Sequence, residues 1–127
     1  MKGRTTLAKK KAIRAAVQRE IDAAEGLLDR GEPEKAFHHL ERAHVLGQAD
    51  TRDHTRVHVR MLKVGALLRD GREVAGQLLR IAGAASKTPL GIYPKGNTGG
   101  ANVSPFQRME IPEDLKRILE SDEDRTG

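Results

Sequence analysis

The chain has 127 residues, about the size of one modest domain. It carries 23 Lys and Arg against 18 Asp and Glu, a formal charge of +5, and it has no cysteine. Disulfides, thiolate metal sites and thiol nucleophiles are therefore excluded, and with Phe37, Tyr93 and Phe106 as the only aromatics the core must be aliphatic.

Basic residues dominate the start. Lys2, Arg4, Lys9, Lys10, Lys11, Arg14 and Arg19 all precede the first acid, Glu20. Base readout would add side chains for a groove, and strand binding would add stacking aromatics. Neither cluster is present, so this charge reads as a solvated helix face and nucleic acid is not the expected partner. No apolar run approaches the roughly 20 residues that span a bilayer. The basic start also lacks the apolar stretch of a secretion signal. A soluble, cytoplasmic protein is the expectation.

The first predicted helix covers about residues 6 to 30, where Ile13, Val17, Ile21, Ala24 and Leu28 draw one stripe at steps of three and four. Gly31 stops it. Pro33 suits the first turn of a second helix, because its missing N–H would be unpaired there anyway. That helix carries Ala36, Phe37, Leu40, Ala43 and Leu46 and ends at Gly47. Asp50 or Thr51 can cap a third helix running to about Arg69, with Val57, Met61, Leu62, Val64 and Leu68 inside. Asp70-Gly71 breaks it. A fourth helix from about Arg72 to Ala85 carries Val74, Leu78 and Ile81.

The stretch KTPLGIYPKGNTGGANVSPFQRMEIP is too rich in proline and glycine for regular helix. Its apolar members, Leu90, Ile92, Tyr93, Val103, Phe106, Met109 and Ile111, predict an ordered strap lying on the bundle. A short helix follows from Pro112 or Glu113. The expected fold is all-α in a single domain over 1–127: a helical bundle over 6–86, a strap over 87–111, a short helix over 112–120 and a frayed tail over 121–127.

The four main helices read as two hairpins. GEPEKAFHHLERAHVLG resembles the second half of a tetratricopeptide repeat, with small Ala36, larger Leu40 and small Ala43 where close helix packing wants that alternation. Gly71, Gly76 and Gly83 echo it more weakly. Two hairpins fall short of the three repeats such arrays usually need, so a compact tetratricopeptide-like bundle is expected. A homodimer and a protein or peptide partner are compatible with it.

All five histidines lie between His38 and His58. At about 100° per residue, His44 falls within the apolar arc of the second helix, His39 just beyond its far edge and His38 on the charged side. His54 and His58 are one turn apart on the inner stripe of the third helix. Folding the two helices antiparallel brings His44 level with His54, with His58 a turn deeper and His39 within reach. An i, i+4 histidine pair plus a third from a facing helix suits zinc, copper, nickel or cobalt. Carboxylates are missing from these stripes, which argues against a di-iron site. Met61 reads as core filler more than as a soft ligand. The alternative is that the histidines are structural and hydrogen-bond carbonyls or each other.

PKGNTGGAN matches neither GxxxxGK[ST] nor GxGxxG. It reads as two tight turns with Gly96, Asn97, Gly99 and Gly100 at positive φ. The strap is also placed to close over the histidine pocket.

Together HLERAHVLGQ, HTRVHVRML, REVAGQLLRIAGAA, YPKGNTGGANV and MEIPEDL resemble the bacterial family called domain of unknown function 3703, over roughly residues 15 to 120. The resemblance places His39, Glu41, His44, His54, His58 and GNTGG in the family's motif blocks. It implies no activity.

The function expected is transition-metal binding through His44, His54 and His58, with His39 as fourth ligand, in metal handling or sensing. A tetratricopeptide-like interaction module is the alternative and a metal-dependent enzyme the third. No catalytic residue is assigned, since no nucleophile or general base stands beside the histidines.

Overall fold

The computed structural model of the chain describes residues 7–87, 95–103 and 107–120, with the backbone alone over 84–87. Among these residues there are five helices and no strand: α1 (Leu7–Asp29), α2 (Pro33–Gly47), α3 (Thr51–Leu67), α4 (Gly71–Lys87) and α5 (Glu113–Glu120). They pack in pairs, α1 on α2 and α3 on α4, and α2 joins the pairs through α3. No described helix is long and apolar enough to cross a membrane.

Local chemistry sets each boundary. Pro33 opens α2, where its ring pre-sets φ and its lack of an N–H costs nothing. The Asp50 side chain caps α3 by accepting from the Asp53 N–H. Asp70 does the same for α4, accepting from the Glu73 N–H at 3.0 Å. The two hairpins turn alike. At the end of α1, Gly31 has φ +73°, and the N–H groups of Gly31 and Glu32 reach back to the carbonyls of Leu28 and Leu27. At the end of α3, Arg69 takes the same left-handed conformation with φ +56°, and the N–H groups of Arg69 and Asp70 reach Ala66 and Gly65. Both are Schellman closures, which satisfy the last carbonyls of a helix.

The core is aliphatic. Val17, Ile21 and Ala24 of α1 meet Ala36, Leu40 and Ala43 of α2, while Val57, Met61 and Val64 of α3 complete the cluster. Leu115 anchors α5 into it. A second tie holds α5: Arg42 of α2 grips Glu20 of α1 and Asp114 of α5 together. Two leucines expected inside are not. Leu68, at the C-terminal cap of α3, and Leu78, on α4, are 36% and 56% exposed. Leu78 is outside because α4 turns a polar stripe inward.

That stripe is Glu73, Gln77 and Arg80, and it holds the strap. Glu73 accepts from the Ala101 N–H at 2.8 Å, Gln77 donates to the Gly99 carbonyl at 2.9 Å and Arg80 donates to the Val103 carbonyl at 2.7 Å. From the other side, Gln48 accepts from the Gly96 N–H at 3.0 Å. The described parts of the strap therefore lie on the bundle, between α2 and α4. Its apolar members Leu90, Ile92, Tyr93 and Phe106, like the tail over 121–127, lie outside the described residues.

Candidate metal centre

Three histidines meet at the junction of the two hairpins. His44 comes from the last turn of α2, and His54 and His58 from the first half of α3. The ring centroids are 4.6–4.9 Å apart. His44 Nε2 is 3.0 Å from His54 Nε2 and 3.1 Å from His58 Nε2. All three rings are buried. The Gly47–Asp50 turn is tight, so a residue near the end of α2 stands level with one near the start of α3.

The outer partners fix which nitrogen carries the proton. His44 Nδ1 lies 2.5 Å from the Asn97 carbonyl. A carbonyl only accepts, so Nδ1 donates and Nε2 keeps its lone pair. His58 Nδ1 lies 2.6 Å from Gln77 Oε1. The orientation of that amide is fixed independently, because its NH2 group donates to Glu73 at 2.8 Å and to the Gly99 carbonyl at 2.9 Å. His58 Nδ1 is therefore also a donor, and its Nε2 also carries a lone pair. Two lone pairs face each other across 3.1 Å. They repel unless a cation, or an N–H from His54 Nε2, which lies 3.0 Å from His44 Nε2, stands near them.

Burial disfavours a proton in that role. It holds His54 and His58 down to about 4. His44 is well below its ordinary value through burial first and then the two neighbouring imidazoles. All three are neutral at pH 7, the form that binds metals. In a zinc site with Zn–N of about 2.0–2.1 Å, tetrahedral nitrogens sit about 3.3–3.4 Å apart. The His44–His54 and His44–His58 separations are within a few tenths of an ångström of that edge. His44, His54 and His58 form the group that could hold a metal ion, their ligand atoms all within 4.8 Å of one another.

His39 is elsewhere. Its Nδ1 pairs with Glu20 of α1 at 2.7 Å. It stands five residues before His44, which turns it about 140° around the helix and faces it to α1. His38 is on the surface, 3.8 Å from Glu41. The partners that orient the rings were not identified from sequence. A signal existed: Glu73, Gln77 and Arg80 repeat at steps of four and three, the spacing of one helical face. Arg80 is also a charge where the tetratricopeptide-like pattern wants an apolar residue. The strap does close over the histidines: a Cβ built on Gly99 would lie 2.5 Å from Cδ2 of the His44 ring.

Fold and site together define an all-α helical protein with a buried three-histidine group capable of holding a metal ion. The chain belongs to the family described as Protein of unknown function (DUF3703), whose family model matches residues 11–119. It matches no curated protein and no solved structure.

Proposed function

We propose that the protein binds one transition-metal ion through Nε2 of His44, His54 and His58, in metal handling or sensing. The carrying observation is the pair of committed Nδ1 donors, on His44 to the strap carbonyl and on His58 to Gln77, which leaves unprotonated Nε2 atoms 3.1 Å apart. Three neutral imidazoles without thiolate or carboxylate suit zinc, copper, nickel or cobalt. His39, engaged with Glu20, is not needed for this set, and the remaining coordination position is open to water or another small ligand.

The test is elemental analysis of protein purified without a metal-affinity column, followed by titration with Co(II), Zn(II), Ni(II) and copper. One equivalent per chain is expected, and its loss in the His54→Ala, His58→Ala double variant. A wild-type chain that takes up none of these ions overturns the proposal.

A second reading has its own support. The two hairpins, closed by the same motif, fit the tetratricopeptide-like bundle. Leu67, Leu78 and Leu79 stand 58%, 56% and 77% exposed on the second hairpin, which favours an interaction module with structural histidines. The same titration separates the readings, because that module would retain its fold and bind no ion.

A further inference from the structure

Gln77 is fully buried and lies on α4, a helix that supplies no histidine to the group. Its side chain nevertheless touches three things at once. Oε1 accepts from His58 Nδ1 at 2.6 Å, and Nε2 donates both to Glu73 at 2.8 Å and to the Gly99 carbonyl at 2.9 Å. A buried primary amide that meets three partners with the correct donor and acceptor ends cannot be flipped without placing NH2 against His58 Nδ1–H and oxygen against two acceptors. Glu73 is itself held, since the same Oε2 accepts from the Ala101 N–H at 2.8 Å. The strap thus closes a ring: Asn97 orients His44, Gly99 orients Gln77, and Gln77 orients His58.

We propose that Gln77 is the positioning residue of the metal centre, which holds His58 in the tautomer whose Nε2 can bind an ion and locks that ring to the seated strap. This rests on the metal-binding reading for its functional meaning. Its structural content, a fixed tautomer, stands apart from any ion. A glutamine in this role differs from a carboxylate. It orients the ring without adding negative charge, so the charges nearest the centre are those of Glu73, one hydrogen bond further out, and Arg80, whose guanidinium acts on His44 and His58. Removing such a partner costs about 10- to 100-fold in metal affinity in comparable sites.

The experiment uses the full chain with Gln77→Met, which keeps length and burial but removes the acceptor. A second variant is the swap Gln77→Glu with Glu73→Gln, which keeps an acceptor for His58 Nδ1 but gives up the matched bonds to the Gly99 carbonyl and the Ala101 N–H. Two readouts are taken. Imidazole 15N NMR of the metal-free protein reports the His58 tautomer. Co(II) titration reports affinity and the visible absorption band of the bound ion.

The expected result is a single Nδ1–H tautomer for His58 in the wild type and a mixture in Gln77→Met. Co(II) affinity falls about 10- to 100-fold in that variant with a shifted band, and the swap restores the Nδ1–H tautomer of His58. Unchanged tautomer in Gln77→Met overturns the proposal, as does affinity within about threefold of wild type when wild type binds Co(II). If wild type binds no ion, the metal reading fails while the tautomer arm still decides the role of Gln77. If Gln77→Met does not fold, the swap decides: a His58 that loses its Nδ1–H form despite the restored acceptor overturns the proposal.

Discussion

At the scale of single residues, the centre depends on how closely the strap sits on one imidazole. Gly99 has φ +83°, and a Cβ there would fall 2.5–2.8 Å from three atoms of the His44 ring. Real Cβ atoms do not approach so near, and an alanine at positive φ adds about 1 kcal/mol of strain. Gly99→Ala therefore has to lift the strap or turn His44. Either movement breaks the bond from His44 Nδ1 to the Asn97 carbonyl. The expected outcome is a loss of about 2–3 kcal/mol in chemical denaturation together with weakened Co(II) binding. Unaltered binding would mean that the strap does not orient His44. The three converging histidines were legible in the sequence because helical period and a short turn suffice to place them. His39 was not, because its placement depended on which neighbour competes for its side of α2. Glu20 of α1 wins that competition, through a contact nineteen residues away in sequence.

At the scale of elements, the two hairpins close by the same geometry with different residues. Gly31 suits its left-handed position, and Arg69 occupies the equivalent one with a side chain that disfavours it. Arg69→Gly should raise stability by about 0.5–1 kcal/mol, since the Cβ penalty is removed and the closure bonds remain. Gly31→Ala should lower it by about 1 kcal/mol. Urea denaturation of both variants checks the pair, and a gain in neither direction would mean that the caps are not limiting. Element positions were legible from Gly31, Pro33, Gly47 and Asp70-Gly71, which punctuate a chain of good helix formers. The inward face of α4 was not. The apolar count pointed to Leu78, but the strap supplies bare carbonyls and an N–H on that side, and these require polar partners. The short α5 shows the reverse, with Leu115 fully buried in the core and Ile118 and Leu119 packed partly buried against it. Leu115→Ala should cost about 2–4 kcal/mol by leaving a cavity against α1 and α2. Global unfolding measures that loss. Little change would mean that α5 already detaches in solution.

At the scale of the whole molecule, the buried histidines link folding to pH and to metal in opposite ways. In the unfolded chain they titrate near 6.5. In the fold, burial lowers His54 and His58 to about 4 and His44 well below its ordinary value. As pH falls through that window, the unfolded chain binds protons that the fold refuses, so metal-free stability falls by about 1.4 kcal/mol per pH unit for each histidine. Above about 6.5 the effect is absent. Glu41 and Asp53, both raised by burial first, act in the opposite sense over the lower part of the range. Three histidines outweigh one buried and one part-buried carboxylate, and the net slope is a loss toward acid. Metal reverses the balance at neutral pH: an ion at about a thousand times its Kd adds about 4 kcal/mol of stability. The folded site should also keep its ion further into acid than exposed histidines do, because protons compete for its lone pairs only near pH 4. Co(II) affinity is thus expected to stay nearly level from about pH 7.5 to about 5, while the melting temperature of the metal-free chain drops across the same interval. Competition titrations and thermal melts at matched pH measure the two curves. An affinity that falls together with the melting temperature from about pH 6.5 would mean that these rings titrate like exposed histidines, and the burial that makes them a metal centre would be absent in solution.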